Sequence, residues 1–149
     1  MTSNVPIRII GKNLNRGQFA TEFSVNDYKY EFNAFNTATP LTPDIGGWEI
    51  SFARMQGNDI LSHKLSGDLD LKATLKVFSG VKKSIEAWVK WLKTESDFQD
   101  DDLHFYFTGK AEEASRVKIY NKFAKQIAKS LKLKVTKSMW FGEFKWEFK

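Results

Sequence analysis

Residues 19–34 constrain the fold most strongly, because hydrophobic or β-branched side chains, most of them aromatic, occupy every second position there. The pattern runs from Phe19 to Val25 and resumes from Tyr28 to Ala34 after the polar pair Asn26-Asp27. Successive side chains of a strand point to opposite faces, so each run predicts a strand with one buried face. A polar pair between two such runs is typical of a tight turn. We therefore predict an antiparallel hairpin with a strongly aromatic buried face.

The next part of the chain predicts a loop, a strand and a helix. Residues 36–47 are rich in Pro, Gly and Thr and predict a loop, and alternation from Trp48 to Phe52 predicts a strand that ends at a turn at 57–59. From Leu69 onward the apolar residues first alternate with polar ones, as in a strand, and then recur every three or four positions, as in a helix. We place a strand or extended segment first and a helix from about Thr74 to Thr94.

The last third predicts a strand, a second helix and a hairpin. Residues 95–102 are polar and acidic, residues 103–107 alternate as a strand, and residues 112–132 repeat with helical spacing. The C-terminus alternates again after a turn near Gly142. We predict an α+β fold in which an antiparallel or mixed sheet carries two α-helices packed on one face. The length of 149 residues predicts a single globular domain over 1–149.

Composition limits the chemistry available to the chain. There is no cysteine, which excludes thiolate nucleophiles and Cys-ligated zinc, and the two histidines, His63 and His104, have no carboxylate at ligand spacing. We predict no metal, no cofactor and no catalytic residues. The first residues lack the features of a secretory signal, and no apolar run approaches the ~18 residues that a membrane helix needs. We expect a cytoplasmic protein without membrane contact.

The clearest candidate site is a basic face on the second helix. Residues 75–149 carry sixteen Lys+Arg against ten Asp+Glu, whereas residues 1–74 carry seven against eight. Helical spacing places five lysines within about 80° of one another in a row ~21 Å long, opposite the apolar stripe. With Arg116 near its start, the predicted polyanion-binding set is Arg116, Lys118, Lys122, Lys125, Lys129 and Lys132. The alternative is a solvated helix face, because Lys is a good helix former.

A second candidate lies where this helix begins. Ser115 could cap the helix while Arg116 holds an anion, so Thr108, Lys110, Ser115 and Arg116 form a candidate anion site. A purely structural capping unit is the alternative. The segments 77–81, 105–110 and 115–120 together resemble a pattern in small uncharacterised proteins of tailed bacteriophages. In that pattern a strand ending in Thr or Ser-Ala precedes Ser-Arg-x-x-Leu-Tyr at a helix start.

The resemblance covers roughly residues 65–135, and this chain has Ile119 where the pattern has Leu. It implies a viral context and no particular activity. The leading hypothesis is a non-enzymatic phage or mobile-element accessory protein whose second helix binds nucleic acid or another polyanion.

Two other classes of function stay open. A protein-binding module, either an inhibitor of a host protein or a small virion component, would use exposed aromatic residues, with Phe35, Trp91 and Trp140 as the candidates. A small transferase or nucleotide-processing enzyme is the third class. The sequence leaves the oligomeric state open, a homo-oligomer included.

Overall fold

The computed structural model describes residues 5–14, 16–36, 47–56, 59–62, 71–95, 103–110 and 114–149. The strands in these ranges are β1 (Arg8–Asn13), β2 (Gln18–Val25), β3 (Tyr28–Asn36), β4 (Trp48–Gln56), β5 (Asp59–Ser62), β6 (Phe105–Lys110), β7 (Val135–Trp140) and β8 (Glu143–Phe148). The helices are α1 (Leu71–Glu95) and α2 (Ala114–Leu131). Neither helix contains an apolar stretch long enough to cross a lipid bilayer.

The strands form a mixed sheet in the order β1-β2-β3-β4-β6-β8-β7, with β5 paired to β4 in addition. Strands β4 and β6 run parallel, and the other pairings described by register are antiparallel. The predicted α+β fold, a sheet with two helices, is confirmed.

Residue contacts group the chain into two compact units. Unit 1 comprises residues 1–35 and 51–97, and unit 2 comprises residues 36–50 and 98–149. The prediction of a single domain over 1–149 stays a prediction.

In unit 1 the predicted hairpin is confirmed. Strands β2 and β3 pair from Gln18↔Phe35 to Val25↔Tyr28. Asn26 and Asp27 form the two-residue turn with φ of 50° and 67°. Both values lie in the left-handed region, which Asn and Asp enter more readily than most residues, and a two-residue turn of this kind matches the twist of a hairpin.

The aromatic face of this hairpin packs against α1. The rings of Phe19 and Trp91 lie with centroids 5.2 Å apart. Beside them the hydroxyl oxygens of Thr21 and Ser84 are 2.6 Å apart, and Ser84 donates to the carbonyl of Gly80 at 2.8 Å. Thr21 therefore donates to Ser84, and the bonds satisfy two fully buried polar side chains.

The start of α1 corrects one prediction. The helix begins at Leu71, so the strand or extended segment predicted to lead up to Thr74 is wrong over the described residues. Alternating apolar residues also occur on a helix whose apolar stripe is wide. Val77 is buried while Leu75 is exposed, which shows that the strand-like alternation did not mark a common face. The loop residues 37–46, the turn residues 57–58 and the connection 96–102 lie outside the described part of the chain.

In unit 2, helix α2 packs on β6 and β8 through aromatic side chains. Phe107 stacks on Trp146 with centroids 4.9 Å apart, and Tyr120 meets the same indole edge to face at 5.7 Å. Trp146 also donates its Nε1 hydrogen to Asn121 Oδ1 at 2.9 Å. The predicted stripe is confirmed. Its first four members are buried and the last is half-buried, and they are Val117, Tyr120, Ala124, Ile127 and Leu131.

We predict that Gly80→Ala destabilises the protein by about 1–3 kcal/mol, although Ala is normally the better helix former. The reason is that a Cβ at this position would lie 2.5 Å from the Cε2 atom of buried Phe23. Urea denaturation measures the change. Gly11→Ala is the control, since a Cβ there meets no atom within 4 Å and the free energy of unfolding should change by less than about 0.5 kcal/mol. A Gly80→Ala variant as stable as the parent would contradict this close packing of β2 on α1.

Candidate functional site

The lysine row comprises Lys118, Lys122, Lys125, Lys129 and Lys132. All five are exposed, as predicted, on the side of α2 opposite its buried stripe. The first four lie within the helix and span about 17 Å along its axis. The helix ends at Leu131, one residue before the predicted end, so Lys132 continues the row from just beyond the helix.

The positive charge of this row is not balanced by acidic residues of α2. The sequence of α2 contains no Asp or Glu, so none of its lysines can form an ion pair with a residue one turn away within the helix. In the described part of the chain no ion pair joins these lysines to a carboxylate. Among the described residues, the row is thus a line of exposed ammonium groups without a carboxylate partner, held by a helix whose opposite side is buried.

The C-terminus of α2 adds a conformational feature. Leu133 N–H donates to Ala128 C=O at 2.8 Å and Lys132 N–H donates to Lys129 C=O, the pair of bonds of a Schellman cap. Lys132 has φ of 57° in the position that Gly usually occupies. A cation at a helix C-terminus interacts favourably with the helix dipole, which offsets part of this strain.

The residues of the predicted anion site lie on two elements of unit 2. Thr108 and Lys110 belong to β6, and Ser115 and Arg116 to the first turn of α2. Thr108 is exposed, and it lies between Phe107 and Gly109, whose side of the strand faces α2. Its side chain therefore lies on the face of β6 away from α2, and the anion site itself stays a prediction. The side chains of the other three lie outside the described part.

One of the three aromatic residues predicted for a protein-binding surface is buried. Trp91 is 8% exposed and packs on Phe19, so it belongs to the core of unit 1. Phe35, in the same unit, is exposed as predicted. The side chain of Trp140 lies outside the described part.

Sequence reasoning missed the tip of the β7–β8 hairpin. Phe141 is 89% exposed and Met139 is 64% exposed. Phe141 and Gly142 form the two-residue turn with φ of 48° and 78°. The available signal was an aromatic residue immediately before the turn glycine, where a hairpin ordinarily has Asn or Asp.

A polar cluster on the face of unit 2 away from α2 was missed as well. His104 Nε2 and Glu147 Oε2 are 2.8 Å apart, and Lys145 Nζ is 4.0 Å from the same oxygen. Tyr106 donates to Glu49 at 3.3 Å, and its ring lies under the Lys145 ammonium at 4.4 Å. The sequence spacing around His104 gave no sign of this carboxylate. Glu147 is 43 residues away in sequence and reaches His104 through the antiparallel β6–β8 pairing.

The cluster changes the acidity of one member. The hydrogen bond with His104 lowers the pKa of Glu147 below its ordinary value of 4.5, and the Lys145 charge adds to this effect. These contacts join strands β4, β6 and β8 on their polar side. Within the described contacts, the His104–Glu147 pair has no hydroxyl nucleophile bonded to it.

Comparison with known proteins gives no relative. No family model matches the chain, and neither a curated protein sequence nor a solved structure shows significant similarity to it.

We predict that Glu147 contributes stability that is present above pH 4.5 and is lost as the pH falls through its lower folded-state pKa. Glu147→Gln should therefore be less stable than the parent at pH 7, by up to about 1 kcal/mol for a partly exposed pair. The two proteins should converge once the pH has fallen below that folded-state pKa. Thermal denaturation between pH 3 and 7 measures this, with Glu143→Gln on the same strand as the control. A constant difference at every pH would show that the charge of Glu147 contributes nothing.

Proposed function

We propose that the protein is a non-enzymatic accessory protein that binds nucleic acid or another polyanion through the lysine row of α2. The observation that supports this is the row itself: exposed, uncompensated by acidic residues on α2, and fixed by the aromatic packing beneath it. Ammonium groups spaced along about 17 Å match the length of several phosphates on a nucleic acid backbone.

The kind of basic residue argues for loose recognition. Lysine acts as a point charge, whereas arginine offers the planar, bidentate donors that read base edges. Nineteen of the 23 basic residues of the chain are lysines. Binding is therefore expected to depend on charge and to show little sequence preference.

The biological setting is part of the proposal. The resemblance of residues 77–81, 105–110 and 115–120 to small proteins of tailed bacteriophages supports a phage or mobile element as the source. A protein of this kind would act in the cytoplasm of the host, where nucleic acid is abundant.

A second candidate function is a protein-binding module, and the exposed residues of β1 favour it. This strand lies at the end of the sheet order, and all six of its residues are exposed, Ile9 and Ile10 among them. An apolar edge strand can pair with a strand of a partner. Capture of partners from host lysate with and without nuclease separates the two functions, because only a nucleic acid partner is lost with nuclease.

We predict that binding of labelled oligonucleotides weakens linearly on a log–log plot against salt, with a slope of about −3 to −4 for four or five phosphate contacts. Replacing Lys122, Lys125 and Lys129 with Gln removes three contacts and should reduce the magnitude of the slope by about 2 to 3. Fluorescence anisotropy between 50 and 200 mM salt measures both slopes.

The matched control replaces Lys12, Lys72 and Lys90 of unit 1 with Gln. All three are exposed, and their loss lowers the net charge by the same amount. This control should keep the slope of the parent. If the parent binds no oligonucleotide below about 10 μM at 50 mM salt, or if both triple variants bind alike, the proposed role of the row is wrong.

A further inference from the structure

Strand β1 has one edge that no described strand covers. It pairs with β2 on one side, and in the sheet order of the described residues it has no neighbour on the other. All six of its residues are exposed, among them Ile9 at 46% and Ile10 at 42%. Such an edge presents backbone N–H and C=O groups that can pair with a strand from another chain.

The charged residues of this edge are all basic. Arg8 and Lys12 are the charged residues of β1, and Arg16 follows in the next turn. Lys12 forms no ion pair with a described residue. Glu22, the partner of Arg8, also binds Lys29, whose Nζ lies 2.9 Å from its second oxygen. A second copy of the chain paired here would bring two more cations to the same edge, whereas a strand with carboxylates would be attracted.

A bulge in β1 places its two cations on opposite faces of the sheet. Arg8 pairs with Glu22 of β2. Lys12 pairs with Phe19, after the register has shifted by one residue. Phe19 is buried against Trp91 of α1, and Glu22, three positions along the same strand, lies on the other face. Four steps along β1 therefore correspond to three steps along a regular neighbouring strand.

These features define the chemistry of a strand that fits the edge. A regular strand beside β1 meets both cations when its carboxylates are three positions apart, because that spacing puts them on opposite faces. A β-branched residue between them would lie against Ile9 and Ile10. Cations and a bulge at an edge disfavour pairing with an arbitrary neutral or basic strand, so the same features provide selectivity.

We propose that β1 accepts an acidic, extended segment of a partner protein, which adds a strand to the sheet with two carboxylates three positions apart and a β-branched residue between them. This inference rests on the second candidate function, the protein-binding module, and names the chemistry of its partner. It does not involve the lysine row of α2.

The first test uses two labelled, acetylated octapeptides of the same composition. Thr-Val-Glu-Thr-Val-Glu-Val-Thr has its glutamates three positions apart, and Thr-Val-Glu-Thr-Glu-Val-Val-Thr has them two apart, on one face. Fluorescence anisotropy should give a Kd below about 100 μM for the first peptide and an affinity at least about 5-fold weaker for the second. Methylation of every second backbone nitrogen should abolish binding in one of the two alternating sets and preserve it in the other, because a strand pairs through one edge.

The second test reverses the charge of Lys12. Lys12→Glu changes an exposed side chain and should leave the stability nearly unchanged. The affinity for the first octapeptide should fall about 10-fold. One of the two peptides with a lysine in place of a single glutamate should recover it. In the parent, hydrogen exchange of the β1 amides should slow when the peptide binds, which attraction by charge alone would not cause.

Other modes of binding give different results. A peptide held by charge alone would bind the lysine row, so the variant with Gln at positions 122, 125 and 129 should bind the octapeptide as the parent does. Loss of binding in that variant, equal binding of the two isomers, or no binding below about 1 mM would overturn the proposal. A dimer in sedimentation equilibrium that Ile10→Lys dissociates would show that a second copy occupies the edge, and would overturn it as well.

The outcomes also separate this inference from the function beneath it. If a nuclease-resistant protein partner from lysate binds Lys12→Glu as tightly as the parent, the protein-binding module stands and the acidic strand is wrong. Binding of oligonucleotides through α2 is tested independently, because β1 contributes no residue to the lysine row.

Discussion

The contacts of Trp146 with α2 decide which residues of unit 2 meet solvent. Its indole packs against the ring of Phe107, 4.9 Å away and nearly parallel, and against that of Tyr120, which it meets edge to face. Its Nε1 hydrogen is donated to Asn121 on the next position of the helix. A helix advances 100° per residue, so two neighbouring residues bound to one indole leave little freedom of rotation about the helix axis. The exposure of the lysine row follows from this orientation.

Local patterns in the sequence predicted most of the fold. The alternation of apolar residues in 19–34 indicated β2, β3 and their turn. Apolar residues at every third or fourth position indicated the buried faces of both helices. What could not be predicted depends on pairing between distant segments. Strand β1 is exposed throughout and shows no alternation to indicate it, and the link between His104 and Glu147 exists only because β6 and β8 pair. Trp91 was wrongly chosen as a candidate for an exposed surface, because the sequence around it does not reveal that the ring of Phe19 covers it.

The residues of the candidate site also fall into two groups: those that local spacing predicts and those that only the structure reveals. Helical spacing alone placed the five lysines on one face, since the geometry of one helix is local. Phe141 was missed because the type of a residue does not determine whether it is exposed, and a Phe before a Gly could equally belong to a strand. The positive φ of Phe141, which Asn26 shares, is likewise visible only in the structure. Conflict between residue type and backbone conformation is a signal that requires the structure and the sequence together.

The energetics of the lysine row explain how it can exist before a ligand arrives. Two unit charges about 6 Å apart in water repel by roughly 0.7 kcal/mol, and physiological salt screens this further. A single buried Ile or Phe side chain contributes about 1.5–3 kcal/mol, so the packing of Ile127 or Phe123 outweighs several such repulsions. The helix therefore holds its lysines in line without a partner. A polyanion that binds them meets an ordered row and loses no affinity to folding of the helix, and the gain comes from released counterions. Because that gain is the same for any backbone of similar charge density, selectivity has to come from a group that is not a lysine.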